Sequence, residues 1–67
     1  MKRRTEVRNR IYETMNAVGA KNADGLAALL GVNRTTVASY LQRGSFPEAR
    51  RQQLIEKYGE VVARIWR

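Results

Sequence analysis

Apolar positions along this 67-residue chain recur with helical spacing, and glycines separate the successive runs. One face of the first run is formed by Val7, Ile11, Met15 and Val18. Their separations of three and four residues match the period of an α-helix. Thr5 is suited to cap the start of this helix and Gly19 to end it. We therefore predict an amphipathic helix from about Thr5 to Val18.

Two shorter helices are predicted in the next segment, with a tight turn between them. The second helix starts near Asn22 or Ala23, and its predicted buried face consists of Leu26, Ala27, Leu29 and Leu30. Gly31 ends it, because glycine adopts a positive φ without a Cβ clash. Asn33 is the natural N-cap of a third helix that runs to about Arg43. Two short helices around a glycine turn are typical of a helix-turn-helix.

The remaining sequence predicts a fourth helix and a short fifth one. Ser45 and Glu48 have the spacing of a capping box, and Pro47 is tolerated in a first turn. Leu54, Ile55 and Tyr58 face inward, and Gly59 closes the fourth helix. Residues 60–67 form the last helix, with an apolar stripe of Val61, Val62, Ile65 and Trp66. The predicted fold is all-α, a compact four- to five-helix helix-turn-helix domain over residues 5–67, with residues 1–4 as a basic arm.

The third helix has two contrasting faces, with Val37 and Tyr40 on the apolar one. Its polar face contains Arg34, Thr35, Ala38, Ser39 and Gln42. Small residues in the middle of this face allow close approach to a groove floor, and Arg34 has the geometry to contact guanine. The alternative interpretation is a solvent-exposed face that contacts nothing.

Charge favours the first interpretation. The net charge is +7, and residues 1–10 contain five basic residues against Glu6 alone. Such a positive field attracts polyanions. Arg43, Arg50 and Arg51 follow the polar face and are candidates for phosphate contacts. A solvated basic face on the fourth helix is the competing interpretation for these three.

The residue content excludes several kinds of chemistry. The chain has neither cysteine nor histidine, so disulfides, thiolate metal sites and the usual neutral-pH acid–base group are excluded. No apolar run approaches the roughly 20 residues that span a bilayer. We predict no enzymatic activity, no metal, no cofactor, no small-molecule ligand and no membrane association, and we expect a cytoplasmic protein.

The C-terminal aromatic residue has two possible roles. Val62, Ile65 and Trp66 could form a dimer interface, or Trp66 could belong to the core of the domain. The sequence leaves both roles open.

Together these residues resemble a known family, the lambda-repressor/Cro-type helix-turn-helix proteins, especially small phage Cro-like repressors. The signature positions are Leu26-Ala27, Gly31-Val32, Val37 and Tyr40, followed by the segment YLQRGSFP over residues 40–47. The resemblance implies a domain of four or five helices that binds operator DNA as a dimer. It also implies base contacts from Arg34, Thr35, Ala38 and Ser39, and backbone contacts from Asn33, Thr36, Gln42 and Arg43.

The leading hypothesis is a sequence-specific repressor that binds double-stranded DNA at an inverted repeat as a homodimer, with the third helix in the major groove. One alternative is a protein-interaction module, such as an anti-factor, that uses the C-terminal apolar stripe. Another is a nonspecific nucleic-acid binder held by charge alone.

Overall fold

A computed structural model describes the backbone of residues 2–67 and the side chains of residues 5–67. Residues 2–67 form five α-helices and no strand, which confirms the predicted all-α fold. The helices are α1 (Lys2–Ala17), α2 (Ala23–Leu30), α3 (Arg34–Arg43), α4 (Glu48–Tyr58) and α5 (Glu60–Ala63). The helix-turn-helix consists of α2, a turn over residues 31–33, and α3.

The first helix begins three residues earlier than predicted. Thr5 lies inside α1, so its prediction as the N-cap is wrong. Lysine and arginine are good helix formers, and residues 2–4 contain nothing that would stop the helix. From Lys2 onward, the predicted basic arm is therefore the first turn of α1, and Met1 lies outside the described residues.

The turn between α2 and α3 has the predicted left-handed glycine. Gly31 has a φ of 74°, and its amide donates to the carbonyl of Ala28. The amide of Val32 donates to the carbonyl of Ala27 at 3.0 Å. This pair of bonds is a Schellman motif, which satisfies carbonyl groups that the end of a helix leaves open. The same pair of bonds closes α1. There the amide of Gly19 donates to the carbonyl of Asn16, and the amide of Ala20 donates to the carbonyl of Met15.

The helix starts agree with the sequence in part. The Asn22 side chain accepts a hydrogen bond from the Gly25 amide at 2.9 Å, as expected for an N-cap. Asn33 stands at the N-cap position of α3, but its side chain makes no capping bond within residues 5–67.

The capping box predicted for the fourth helix is wrong. The N-cap of α4 is Pro47, which therefore precedes the first turn, and no side chain within residues 5–67 caps this helix. The amide of Ser45 donates instead to the carbonyl of Tyr40 at 3.0 Å. Ser45 thus belongs to the end of α3, where its backbone closes the preceding helix.

One core holds the helices together. Within residues 5–67 its buried hydrophobic members are Ile11, Met15, Leu26, Ala27, Leu30, Val37, Phe46, Leu54 and Val62. Leu29 is half-buried and lies outside this set, unlike the prediction for α2. Thr14 is the buried polar side chain within the same range, and its hydroxyl donates to the carbonyl of Arg10 at 2.7 Å.

The C-terminal apolar stripe does not form a single surface. Val62 is completely buried, whereas Val61 is 47% exposed. Val62 therefore cannot contact a second chain, and that part of the predicted dimer interface is wrong. The α5 helix ends at Ala63, so residues 64–67 do not continue it as predicted. Ile65 remains partly exposed.

Trp66 packs within the domain, as its core alternative predicted. Its ring stacks on Phe46 with centroids 5.2 Å apart, and its indole N–H donates to the Thr14 hydroxyl at 2.9 Å. Arg51 covers the indole ring at 5.4 Å. These contacts hold Trp66 within the domain with its side chain half-buried, and a role at a dimer interface stays a prediction.

We expect Gly31→Ala to lower the free energy of unfolding by about 1–2 kcal/mol, because a Cβ disfavours the left-handed conformation. Gly25→Ala is the matched control. A Cβ at Gly25 would lie 3.4 Å from Ala20, and replacing a helical glycine is expected to stabilise by up to about 1 kcal/mol. Urea unfolding of both variants measures the difference, and equal stabilities would contradict the assigned role of Gly31.

Candidate nucleic-acid interface

The third helix is held by one side and exposes the other. Val37 is completely buried, and Tyr40 and Leu41 pack partly against the core. The exposed residues around α3 are Asn33, Arg34, Thr35, Ala38, Gln42 and Arg43. Because the side chain of Ala38 is small, the middle of this face projects little from the helix. The structure therefore exposes six of the ten predicted contact residues around α3.

Hydrogen bonds from other helices fix both parts of the helix-turn-helix. The Arg8 Nε on α1 donates to the carbonyl of Leu41 at 2.9 Å, which lies in the last turn of α3. The Gln53 side chain on α4 donates to the carbonyl of Leu30 at 3.1 Å, which is the last residue of α2. Both bonds satisfy carbonyl groups that the end of a helix leaves open. Neither bond was predictable from the sequence, because partners so far apart along the chain leave no spacing pattern.

The predicted phosphate contacts on α4 have structural roles. The Arg50 guanidinium donates to the Gln53 side chain at 2.9 Å and supports the bond to Leu30. Arg51 packs on Trp66, and its Nε is buried without a hydrogen-bond partner among residues 5–67. Both arginines are half-buried. They are therefore less accessible than Arg43, which is exposed in the last turn of α3.

A depression of roughly 420 Å³ lies beside α3. It is lined by Thr35, Thr36, Ser39, Tyr40, Arg43, Ser45 and Pro47. Thr36 and Ser39 are half-buried in the lining of this depression, whereas Thr35 is exposed. Hydroxyl groups and a guanidinium group can donate hydrogen bonds to phosphate oxygens.

Arg34 has an acidic neighbour. Its Nη1 lies 3.7 Å from the Oδ2 atom of Asp24, in the first turn of α2. Both side chains are largely exposed, at 70% and 58%. At the start of α2, the carboxylate of Asp24 also interacts favourably with the helix dipole. Its position beside the candidate base-contacting arginine follows from the way α2 and α3 pack.

The described residues offer little for other kinds of site. Among residues 5–67, no three acidic side chains lie close enough together to hold a metal ion. None of the helices within residues 2–67 combines the length and the apolar character that crossing a membrane requires.

A comparison with protein-family models matches residues 9–57 to the bacteriophage CI repressor helix-turn-helix domain. This segment contains α2, α3 and nearly all of α4, and therefore the whole candidate interface. Searches of curated proteins and of solved structures found no significant match. The match covers well over half of the chain and confirms the resemblance to repressor-type helix-turn-helix proteins. The chain belongs to the bacteriophage CI repressor helix-turn-helix domain family and is a DNA-binding transcription regulator of the phage repressor type.

Proposed function

We propose that the chain represses transcription by binding an inverted-repeat operator as a dimer, with α3 of each copy in the major groove. The observation that carries the proposal is the accessible polar face of α3, which lies opposite the buried Val37. An anchored helix with one polar, small-residue face suits insertion into a groove about 12 Å wide. Such a role would take place on DNA in the cytoplasm, in association with the nucleoid.

In this proposal Arg34, Thr35, Ala38 and Ser39 contact bases. Arg34 donates two hydrogen bonds to guanine, and Ala38 allows α3 to approach the base edges. Asn33, Thr36, Gln42 and Arg43 contact the DNA backbone and fix the register without determining sequence. Arg50 and Arg51 add positive charge nearby.

Selection from a random duplex library at near-physiological salt tests the proposal. Enrichment of an inverted repeat with half-sites about 10 base pairs apart would support a dimer that contacts one face of the duplex. Capture of all sequences alike, lost as salt rises, would instead support a nonspecific binder held by charge. An absence of DNA binding would favour a protein-interaction module. Against that last function, Val62 and Trp66 of its supposed docking stripe are occupied within the domain.

Two arginines on α3 separate base recognition from backbone contact. We expect Arg34→Ala to weaken operator binding by about 1–3 kcal/mol and to relax selectivity at one base position. Arg43→Ala should weaken binding to the operator and to scrambled DNA by the same factor. It should also reduce the slope of log affinity against log salt concentration by about 1. Both variants remove one positive charge, so each is the control for the other. If both variants weaken binding to the operator and to scrambled DNA in the same way, these roles are contradicted.

We further propose that the dimer forms through a groove between α1 and α5. This α1–α5 groove is lined by Glu13, Asn16, Ala17, Val61, Arg64 and Ile65 and has a volume of roughly 390 Å³. Val61 is one of two large hydrophobic side chains exposed within residues 5–67. The proposed occupant is a second copy, because the groove has an acidic Glu13 and a basic Arg64. A two-fold contact would set each copy's Glu13 against the other copy's Arg64.

We expect Val61→Asp to weaken self-association about tenfold, because it places a charge in the apolar centre of the contact. Gln52→Asp adds the same charge at an exposed position of α4 and should leave self-association unchanged. Sedimentation equilibrium measures the monomer–dimer constant for both variants. Binding to a single half-site should respond equally to the two substitutions. If the Val61→Asp variant dimerises as strongly as the wild-type chain, this interface is excluded.

A further inference from the structure

The structure assigns to Asp24 a role in specificity: we propose that its carboxylate keeps Arg34 from binding phosphates and so reserves it for a base. The inference rests on the proposed DNA-binding function and concerns a residue outside the polar face of α3. Its basis is the ion pair between Arg34 and Asp24, which joins the first residue of α3 to the first turn of α2.

Stability alone gives little reason for this ion pair. Both side chains are mainly exposed, and exposed ion pairs contribute little to folding because water and salt screen them. A carboxylate on a DNA-binding surface also carries a general cost, since it repels the phosphate backbone. When DNA approaches, water around the ion pair is displaced and screens the two charges less. The pair then has a larger effect on DNA binding than on folding.

The geometry leaves Arg34 able to contact a base. Asp24 lies near Nη1 of the guanidinium, which has five N–H groups in a planar fork. The donors on its other edge are sufficient for a bidentate contact with O6 and N7 of guanine. The carboxylate also narrows the positions that a long, flexible side chain can adopt.

Phosphate and guanine differ in how they respond to the carboxylate. An arginine binds a phosphate as readily as a base, because both accept two parallel hydrogen bonds. A phosphate is negatively charged, however, so Asp24 repels it from Arg34. Guanine has no net charge, so the carboxylate repels its O6 and N7 acceptors much more weakly. Asp24 should therefore weaken nonspecific binding through Arg34 more than it weakens binding at the operator.

The test measures the affinity for the selected operator and for a scrambled duplex at several salt concentrations. We expect Asp24→Asn to bind scrambled DNA more tightly and to lose about two- to fivefold in discrimination between the two duplexes. Glu56→Gln is the charge-matched control, because Glu56 is exposed on α4. It should tighten binding to both duplexes equally and leave discrimination unchanged.

Two further variants show whether Asp24 acts through Arg34. In an Arg34→Ala background, Asp24→Asn should change both affinities equally, as Glu56→Gln does. Asp24→Glu keeps the carboxylate and should retain most of the discrimination. Circular dichroism and thermal unfolding establish that the variants keep the native fold.

The outcomes distinguish this inference from the proposed function. If Asp24→Asn leaves discrimination unchanged while Arg34→Ala still weakens operator binding, the role of Asp24 is excluded and the DNA-binding proposal stands. If the wild-type chain itself shows no preference for any duplex, both fail together.

Discussion

The length of the helices constrains everything else in this domain. The longest, α1, has 16 residues, while α2 has 8 and α5 has 4. Helices of this length are at best marginally stable in water by themselves, so each depends on burying one face against the others. For α3, Val37 supplies the fully buried contact. The orientation of the polar face of α3 therefore depends on a side chain on the opposite side of that helix.

Local features of the sequence were enough to find α2 and α3. Asn22 and Gly31 act within a few residues of their own position, so their effects are visible in the sequence. The predictions failed where a residue served a different partner. Ser45 had the spacing for a capping box but closes the preceding helix, and Val62 belonged to an apparent surface stripe but fills the core. Sequence spacing alone could not distinguish these cases.

In the candidate interface, too, local features were predictable from the sequence and tertiary contacts were not. Helical periodicity identified its exposed face, because that face follows from the burial of its opposite side. Its electrostatic partners were not predictable, since Arg8 and Leu41 are 33 positions apart and the neighbourhood of Asp24 depends on how two helices cross. The residue types that can contact DNA can thus be identified from the sequence. The interactions that orient them emerge only from the folded chain.

Trp66 is the sole tryptophan of the chain, and its ring lies between helices rather than on the polar face of α3. Its surroundings combine an aromatic ring, a guanidinium group and the hydroxyl of Thr14. Loss of helix packing would separate the indole from these neighbours and expose it to water. The fluorescence of this single tryptophan is consequently an intrinsic optical signal for the packing of α1 and α4 around it.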